Sequence, residues 1–279
     1  MKKNISFIFF LTFFTTLINA QQTNIAVQKG QKYRAESTLK TNSSAEVMGQ
    51  SMETTADNTS ITVYEITAVS ENELNLQVTI TKLQASTSAM GQEMSYDSDK
   101  KDNSGPLADI LGAKINKPEI IVLDEKGHIT KRDENNENQQ GQMMGMNNFN
   151  ATSIDLFVPA LIGKELKAGE SFTDISTSKK EKYSSRDSGT YTITAIENGI
   201  ASVSYSGTQE IVATIEQMGM EMISNSNNIV KAEMQVEVKT GLVVAKATVI
   251  ESNVSVDISG MTIPTTGKTI TTLKITPVQ

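Results

Sequence analysis

The sequence predicts a mainly β protein: antiparallel sheets from two tandemly duplicated halves, with one short helix near residues 106–112. Three observations carry this reading. Apolar residues recur with a period of two, short motifs return in the same order, and glycines punctuate the alternating runs. Leu74, Leu76, Val78 and Ile80 alternate with Asn75, Gln77, Thr79 and Thr81, and Met234, Val236 and Val238 alternate with Gln235, Glu237 and Lys239. Residues two apart share one face of a strand, so strict alternation marks strands with one buried and one solvated face. Leu123-Asp-Glu-Lys-Gly127-His-Ile129 and Val238-Lys-Thr-Gly241-Leu242 are hairpin signals, with glycine supplying the positive φ of a tight turn.

The repeat is built from four weak matches in one order. Gly30-Gln-Lys-Tyr33 returns as Gly169-Glu-Ser-Phe172, and Tyr64-Glu-Ile-Thr-Ala-Val as Tyr191-Thr-Ile-Thr-Ala-Ile. Met90-Gly91-Gln92-Glu93-Met94 returns as Met218-Gly219-Met220-Glu221-Met222, and Lys117-Pro-Glu119 before Gly127 as Lys231-Ala-Glu233 before Gly241. The copies cover about 28–150 and 167–275, within a first β-rich region 21–150 and a second 151–279. Between the first and second matches the first copy is longer by 12 residues, read as a hairpin carrying Met48-Gly49-Gln50-Ser51-Met52. A second excess of 14 contains Gly105-Pro106-Leu107-Ala108-Asp109-Ile110-Leu111-Gly112. Proline in a first turn, apolar spacing from Leu107 to Leu111 and a closing glycine predict the helix. The Asn/Gln-rich run in 133–150 buries little apolar surface and reads as a loop. Leu156-Phe157-Val158-Pro159-Ala-Leu161 reads as an apolar lead into the second copy.

Residues 1–20 have the form of a cleaved secretion signal: Lys2 and Lys3, an apolar run from Ile5 to Ile18, then Asn19-Ala20 before Gln21. The run is shorter than the roughly 20 residues that span a bilayer, and no membrane span is expected after cleavage. The expectation is an extracytoplasmic protein, periplasmic or secreted. The 259 residues after the signal carry 23 basic and 32 acidic groups, a net charge of −9, with three Phe, six Tyr and no Trp. That composition opposes nucleic-acid binding, which needs a basic surface and stacking platforms. With no cysteine, the fold must rest on its hydrophobic core.

Several short motifs are similar to those of uncharacterised exported proteins of the Bacteroidetes, known by domain-of-unknown-function labels. They are the Asn19-Ala20-Gln21 junction, the Leu123-Asp-x-x-Gly127 turn, and Pro159 followed by Lys167-x-Gly169-Glu-Ser-Phe172. The family often has Trp at the last position, where this chain has Phe172. The resemblance implies an extracytoplasmic place and a β-rich fold, and no activity.

No catalytic constellation stands out. The one histidine, His128, follows a turn glycine, and the second copy has Leu242 there. A triad needs a positioned histidine, and an exposed turn does not supply one. Asp97, Asp99, Asp102, Asn103 and Gly105 form an acidic loop without the spacing of a helix–loop–helix calcium site, and the second copy offers Asn225, Asn227 and Asn228. No catalytic, cofactor or metal residues are assigned, and no enzyme is expected. Methionine is the unusual feature. Met90, Met94, Met218, Met220 and Met222 are candidates for a soft apolar surface binding an apolar ligand or envelope partner. Thioethers equally fill irregular cores, and as soft donors they would suit Cu(I), which makes an extracytoplasmic copper-handling protein the alternative. The glycine between the methionines reads as a bulge or close backbone approach.

Overall fold

The computed structural model describes residues 22–47, 49–89, 91–101, 103–132, 154–217, 220–258 and 260–278. The signal-like segment, the Asn/Gln-rich run, Met48, Met90, Asp102 and Met218 lie outside them. Among the described residues the alternating segments form twelve strands. They are β1 (Lys32–Val47), β2 (Gln50–Val69), β3 (Glu73–Ala89), β4 (Gln92–Asp97), β5 (Pro118–Asp124), β6 (Ile129–Arg132), β7 (Ser171–Lys180), β8 (Tyr183–Glu197), β9 (Ile200–Gln217), β10 (Met220–Glu237), β11 (Val243–Ile258) and β12 (Met261–Val278).

All twelve join one antiparallel sheet in the order β6-β5-β3-β2-β1-β12-β11-β10-β9-β8-β7, with β4 on the far part of β3. The first and last strands meet in its middle, paired from Lys32↔Val278 to Ala45↔Thr265. The hairpins read from sequence are present. Gly127 (φ +89°) and Gly241 (φ +69°) close the turns from β5 to β6 and from β10 to β11. The hairpin expected at Met48–Met52 is present, while the bulge expected at the Met-Gly glycines is not. Val47 pairs with Gln50 and Ala89 with Gln92, so Gly49 (φ +77°) and Gly91 (φ +76°) sit in two-residue hairpin turns, with nothing within 4 Å of an added Cβ. They mark turns, where positive φ favours glycine, and not bulges or close approaches.

The sheet curls so that one face becomes concave. Tyr33, Ala35, Tyr64, Ile66, Leu76, Ile121, Leu123, Ile193, Val203, Met234, Val236 and Ile275 bury that face at one end of the strands. The segment 154–166 fills the hollow: Leu156 and Leu161 are fully buried, and Leu166 nearly so. It is pinned by backbone bonds from Val243 N–H to the Leu156 carbonyl (2.9 Å) and from Thr23 N–H to the Lys164 carbonyl (2.9 Å). The apolar run expected to lead into the second copy is therefore the plug of the shared core. The opposite end, where the tips of β1–β2, β3–β4, β9–β10 and β11–β12 lie together, is the mouth.

The helix α1 (Pro106–Leu111) begins at proline as expected. Its closing glycine does not stop it by a left-handed turn. Gly112 has φ −61° and passes into a 3-10 turn, Gly112–Lys114, beside the Tyr96 ring. Leu107 and Leu111 pack on Leu83, Ala85 and Tyr96 of the concave face, a second buried cluster beside the main core.

Candidate functional site

Register fixes which side chains share the concave face. From Tyr33 and Ala35 that face runs along β1 through Ser37, Leu39, Thr41, Ser43 and Ala45, each half-buried, while Glu36, Thr38, Lys40 and Asn42 on the other face are exposed. A half-buried row opposite an exposed row is what a curled sheet gives. The convex face is charged, with Lys40 opposite Asp57 and an ion pair between Lys32 and Glu65 at 2.9 Å. Among its described residues the exposed apolar side chains, such as Val212, Ile223, Ile229 and Ile270, are interspersed with polar and charged ones.

Three zones follow one another from the plug to the mouth. The floor holds Lys246 and Asp155, paired at 2.7 Å, near Tyr64 and Tyr191, and Tyr205 packs on Tyr191. Burial first, and the Asp155 carboxylate second, push the Tyr64 phenol well above its ordinary range. Tyr191 is raised too, by burial and then by Tyr205 and the carboxylates of Asp174, Asp187 and Asp155. Both phenols therefore stay neutral in any ordinary buffer.

Above the floor a polar ladder crosses three strands. Gln209 donates to Asp187 (2.6 Å), Asn228 donates to Gln209 (3.0 Å), and Ser226 donates to Asn228 (2.9 Å). Toward the mouth the face turns apolar. Met222 on β10 lies opposite Ile258 on β11, and Val256 lies opposite Ile263 on β12. With Val254 these form a half-buried belt, continued across β12 and β1 to Ala45 and Met52. Facing pairs on one side of a sheet have Cβ atoms about 4.5–5.5 Å apart, so the belt is one surface.

Of the methionines expected to form such a surface, Met94 and Met222 have described side chains. Met222 belongs to the belt, and Met94 lies half-buried against the α1 cluster on β4. Five strands of the sheet path separate β4 from β10. Met90 and Met218 lie outside the described residues, and of Met220 only the backbone, paired with Gln217, is described. The belt residues Val254, Val256 and Ile258 were not singled out. Their signal was present in the alternation with Asn253, Ser255 and Asp257, but alternation alone does not say which faces stay uncovered.

The other sequence features are local structure. His128 is exposed and its Nδ1 meets Asp124 Oδ2 at 2.9 Å, where it helps hold the turn. In the acidic loop, the Asp99 backbone N–H (3.0 Å) heads the interactions that hold Asp97 below the usual carboxylate range, and Asp99 pairs with Lys82. Asn103 donates to the carbonyls of Asp97 (2.6 Å) and Lys100 (2.8 Å). The described residues of the loop thus bond to one another. Asn225 and Asn227 lie on the convex side of β10, and Asn228 is in the ladder. A groove of about 670 Å³ beside β1–β4 is lined by Lys40, Asp57, Gln84, Asp97 and Lys100, charges of both signs. No group of three or more His, Cys, Asp or Glu suited to a metal occurs among the described residues, and no described helix is long and apolar enough to cross a membrane.

Residues 71–137, which run from the β2–β3 turn past β6, match a family of unknown function, DUF6263. No functionally curated protein matches the sequence. Among solved structures the chain is similar to lipovitellin, with TM-score 0.50 and 12% identity over 90% of this chain. It spans only 26% of the lipovitellin chain, so the likeness is one of sheet architecture. An outer membrane channel from Pseudomonas putida F1 aligns over 92% of this chain and 98% of its own with TM-score 0.26 and 7% identity. The Pseudomonas aeruginosa protein OccK5 aligns over 90% and 99% with TM-score 0.25 and 7% identity.

Proposed function

We propose that this is an exported, non-enzymatic envelope or secreted protein that holds an apolar guest against the mouth end of its concave face. One observation carries the reading. Val254, Val256, Ile258, Ile263 and Met222 line up half-buried on the inner side of adjacent strands, while the outer side of those strands carries Glu251, Asn253 and Asp257. Apolar surface gathered in a concavity is favourable to cover, by roughly 25 cal/mol per Å² removed from water. Lipovitellin, a structure described for its lipid–protein interactions, has a similar sheet and supports a lipid-like guest. The charged convex face favours a carrier in water over a barrel facing lipid.

The test uses protein from residue 21 onward and the apolar fluorophore 1-N-phenylnaphthylamine. Val256→Glu points a carboxylate into the belt, and Ser255→Glu points one outward from the next residue. The expected result is saturable binding that Val256→Glu lowers at least tenfold and Ser255→Glu leaves unchanged. Equal effects of the two variants, or no binding by the wild type, would remove the reading.

A further inference from the structure

The two halves place corresponding walls on the concave face. Tyr64 pairs with Tyr33 and Val78, and Tyr191 pairs with Phe172 and Tyr205. Counting toward the mouth from these tyrosines, Ser60 faces Leu83 where Asp187 faces Gln209. One step on, Asn58, Ala85 and Tyr96 stand where Ser185, Ile211 and Ser226 stand. The next step sets Ala56, Thr87 and Met94 against Tyr183, Ala213 and Ser224.

The first wall is covered. Leu107 and Leu111 of α1, 2% and 1% exposed, lie on Leu83, Ala85, Tyr96 and Met94. Among the described residues the second wall carries no such helix: Ile211, Ala213 and Met222 are half-buried and belong to neither buried cluster. In the first half, then, the molecule displays what a wall of this curvature accepts, which is branched apolar groups on a narrow support. The second wall differs in chemistry as well as cover. Its deep end is the ladder of Asp187, Gln209 and Asn228, and its outer end is apolar. Asp187 accepts one hydrogen bond, from Gln209, and makes no ion pair among the described residues. A carboxylate of this kind has lone pairs left for a donor.

We propose that the second wall, from Asp187 to Met222, is the seat of the guest, and that the guest is a single-chain amphiphile whose hydrogen-bond-donating, cationic head points inward. The inference rests on the apolar-guest reading above and adds the place, the polarity and the head group. From Asn228 to Met222 the wall is six residues long, about 20 Å at 3.4 Å per residue. The chain lies along Ile211, Ala213 and Met222 with its end at the mouth. The acidic balance of the chain favours arrival of a cation over an anion.

Displacement of 1-N-phenylnaphthylamine by dodecylamine and by dodecanoate tests this. Dodecylamine is expected to bind at least tenfold more tightly, and Asp187→Asn to abolish that preference while the fluorophore still binds. Ala213→Trp fills the second wall and should block both ligands. Val212→Trp, on the convex neighbour that is 43% exposed, should block neither. Ser224→Trp repeats the filling test at a second position, and urea midpoints of all variants report folding. If Val256→Glu abolishes binding but the two wall-filling variants do not, the seat is elsewhere and the apolar-guest reading survives alone. Equal affinity for the two amphiphiles overturns the head-group assignment. Absence of any fluorophore binding by the wild type removes both.

Discussion

Tyr205 lies across two glycines, and a double-mutant cycle would measure that contact. Gly189 on β8 pairs directly with Gly207 on β9. A Cβ at Gly189 would come within 2.4 Å of the Tyr205 Cζ and hydroxyl, and one at Gly207 within 2.4 Å of the same hydroxyl and 2.6 Å of the Ser188 carbonyl. The ring also packs on Tyr191, with centroids 4.6 Å apart. Neither glycine has positive φ, so the backbone dihedrals themselves impose no penalty on alanine at either position. Overpacking costs about 1–3 kcal/mol, and replacing a strand glycine with alanine returns about 0.5–1 kcal/mol. Gly189→Ala should therefore destabilise by about 1–2 kcal/mol, because Tyr205 must leave its seat. In a Tyr205→Ala background the same change should be neutral or slightly stabilising, a coupling of about 1–2 kcal/mol where independent sites add within about 0.5. Gly207→Ala should be rescued only in part, since the Ser188 carbonyl is backbone and cannot turn aside. Urea unfolding with an unchanged m-value reads all four corners of each cycle. A coupling below about 0.5 kcal/mol at Gly189, or full rescue at Gly207, would refute the packing argument.

Leu107→Ala or Leu111→Ala should cost about 2–5 kcal/mol, with amide exchange accelerating in 83–115 and β9–β10 keeping their protection, because the helix cluster is separate from the main core; uniform loss of protection would contradict that separation. Asp124 is pushed up by burial, but the bonds from His128 and the backbone N–H groups of His128 and Lys126 together outweigh it and leave its pKa lowered. Its contribution should be full above the ordinary aspartate value of about 3.9 and lost as pH falls below it, so Asp124→Asn should flatten the acid limb of a stability–pH curve. Replacing Met218 and Met222 by Leu should cost under about 1.5 kcal/mol each, and a Cu(I) titration that shows tight binding lost in that variant would favour the copper alternative.

Much of the architecture was legible because it is local. The alternation in 74–80 and 234–238, the turn glycines 127 and 241, and Pro106 before an apolar pair each fix conformation within a few residues. What was not legible depends on partners far away in sequence. Nothing near Lys32 says that it pairs with Val278, and nothing in Leu156–Leu161 says that the run will be wrapped by strands of both halves. The glycines of the Met-Gly motifs were misread as bulges for a related reason. An apolar residue before glycine inside an alternating run resembles a bulge, and only the pairing of Val47 with Gln50 and Ala89 with Gln92 reveals a turn. The belt was hidden because a half-buried valine and a buried one have the same sequence signal, and curvature alone separates them.

The two halves agree in detail beyond what a shared period of two requires. The Gly30 N–H bonds the Ile66 carbonyl at 2.8 Å and the Ile66 N–H bonds Gln31, and the Gly169 N–H bonds the Ile193 carbonyl at 2.7 Å and the Ile193 N–H bonds Glu170. The register breaks between Ile66 and Ala68 in one half and between Ile193 and Ala195 in the other. At each break a threonine hydroxyl bridges to the next strand: Thr67 to the Asn75 carbonyl and Thr194 to the Ser202 carbonyl, both at 3.1 Å. A bulge leaves one residue without its ladder partner, and a side-chain bond there is a specific solution, so its recurrence supports our proposal that the halves descend from one unit. The proposal has an energetic consequence. Thr67→Val and Thr194→Val delete the same bond at nearly constant shape, and each should cost about 0.5–1.5 kcal/mol. Because the surroundings correspond, the two costs should agree within about 0.5 kcal/mol, and the sites are far enough apart in the sheet for the double variant to show their sum. Urea midpoints of the two single variants and the double decide it. A cost above 1 kcal/mol at one threonine and none at the other would mean that the two bulges solve different problems, and the descent argument would lose its strongest support.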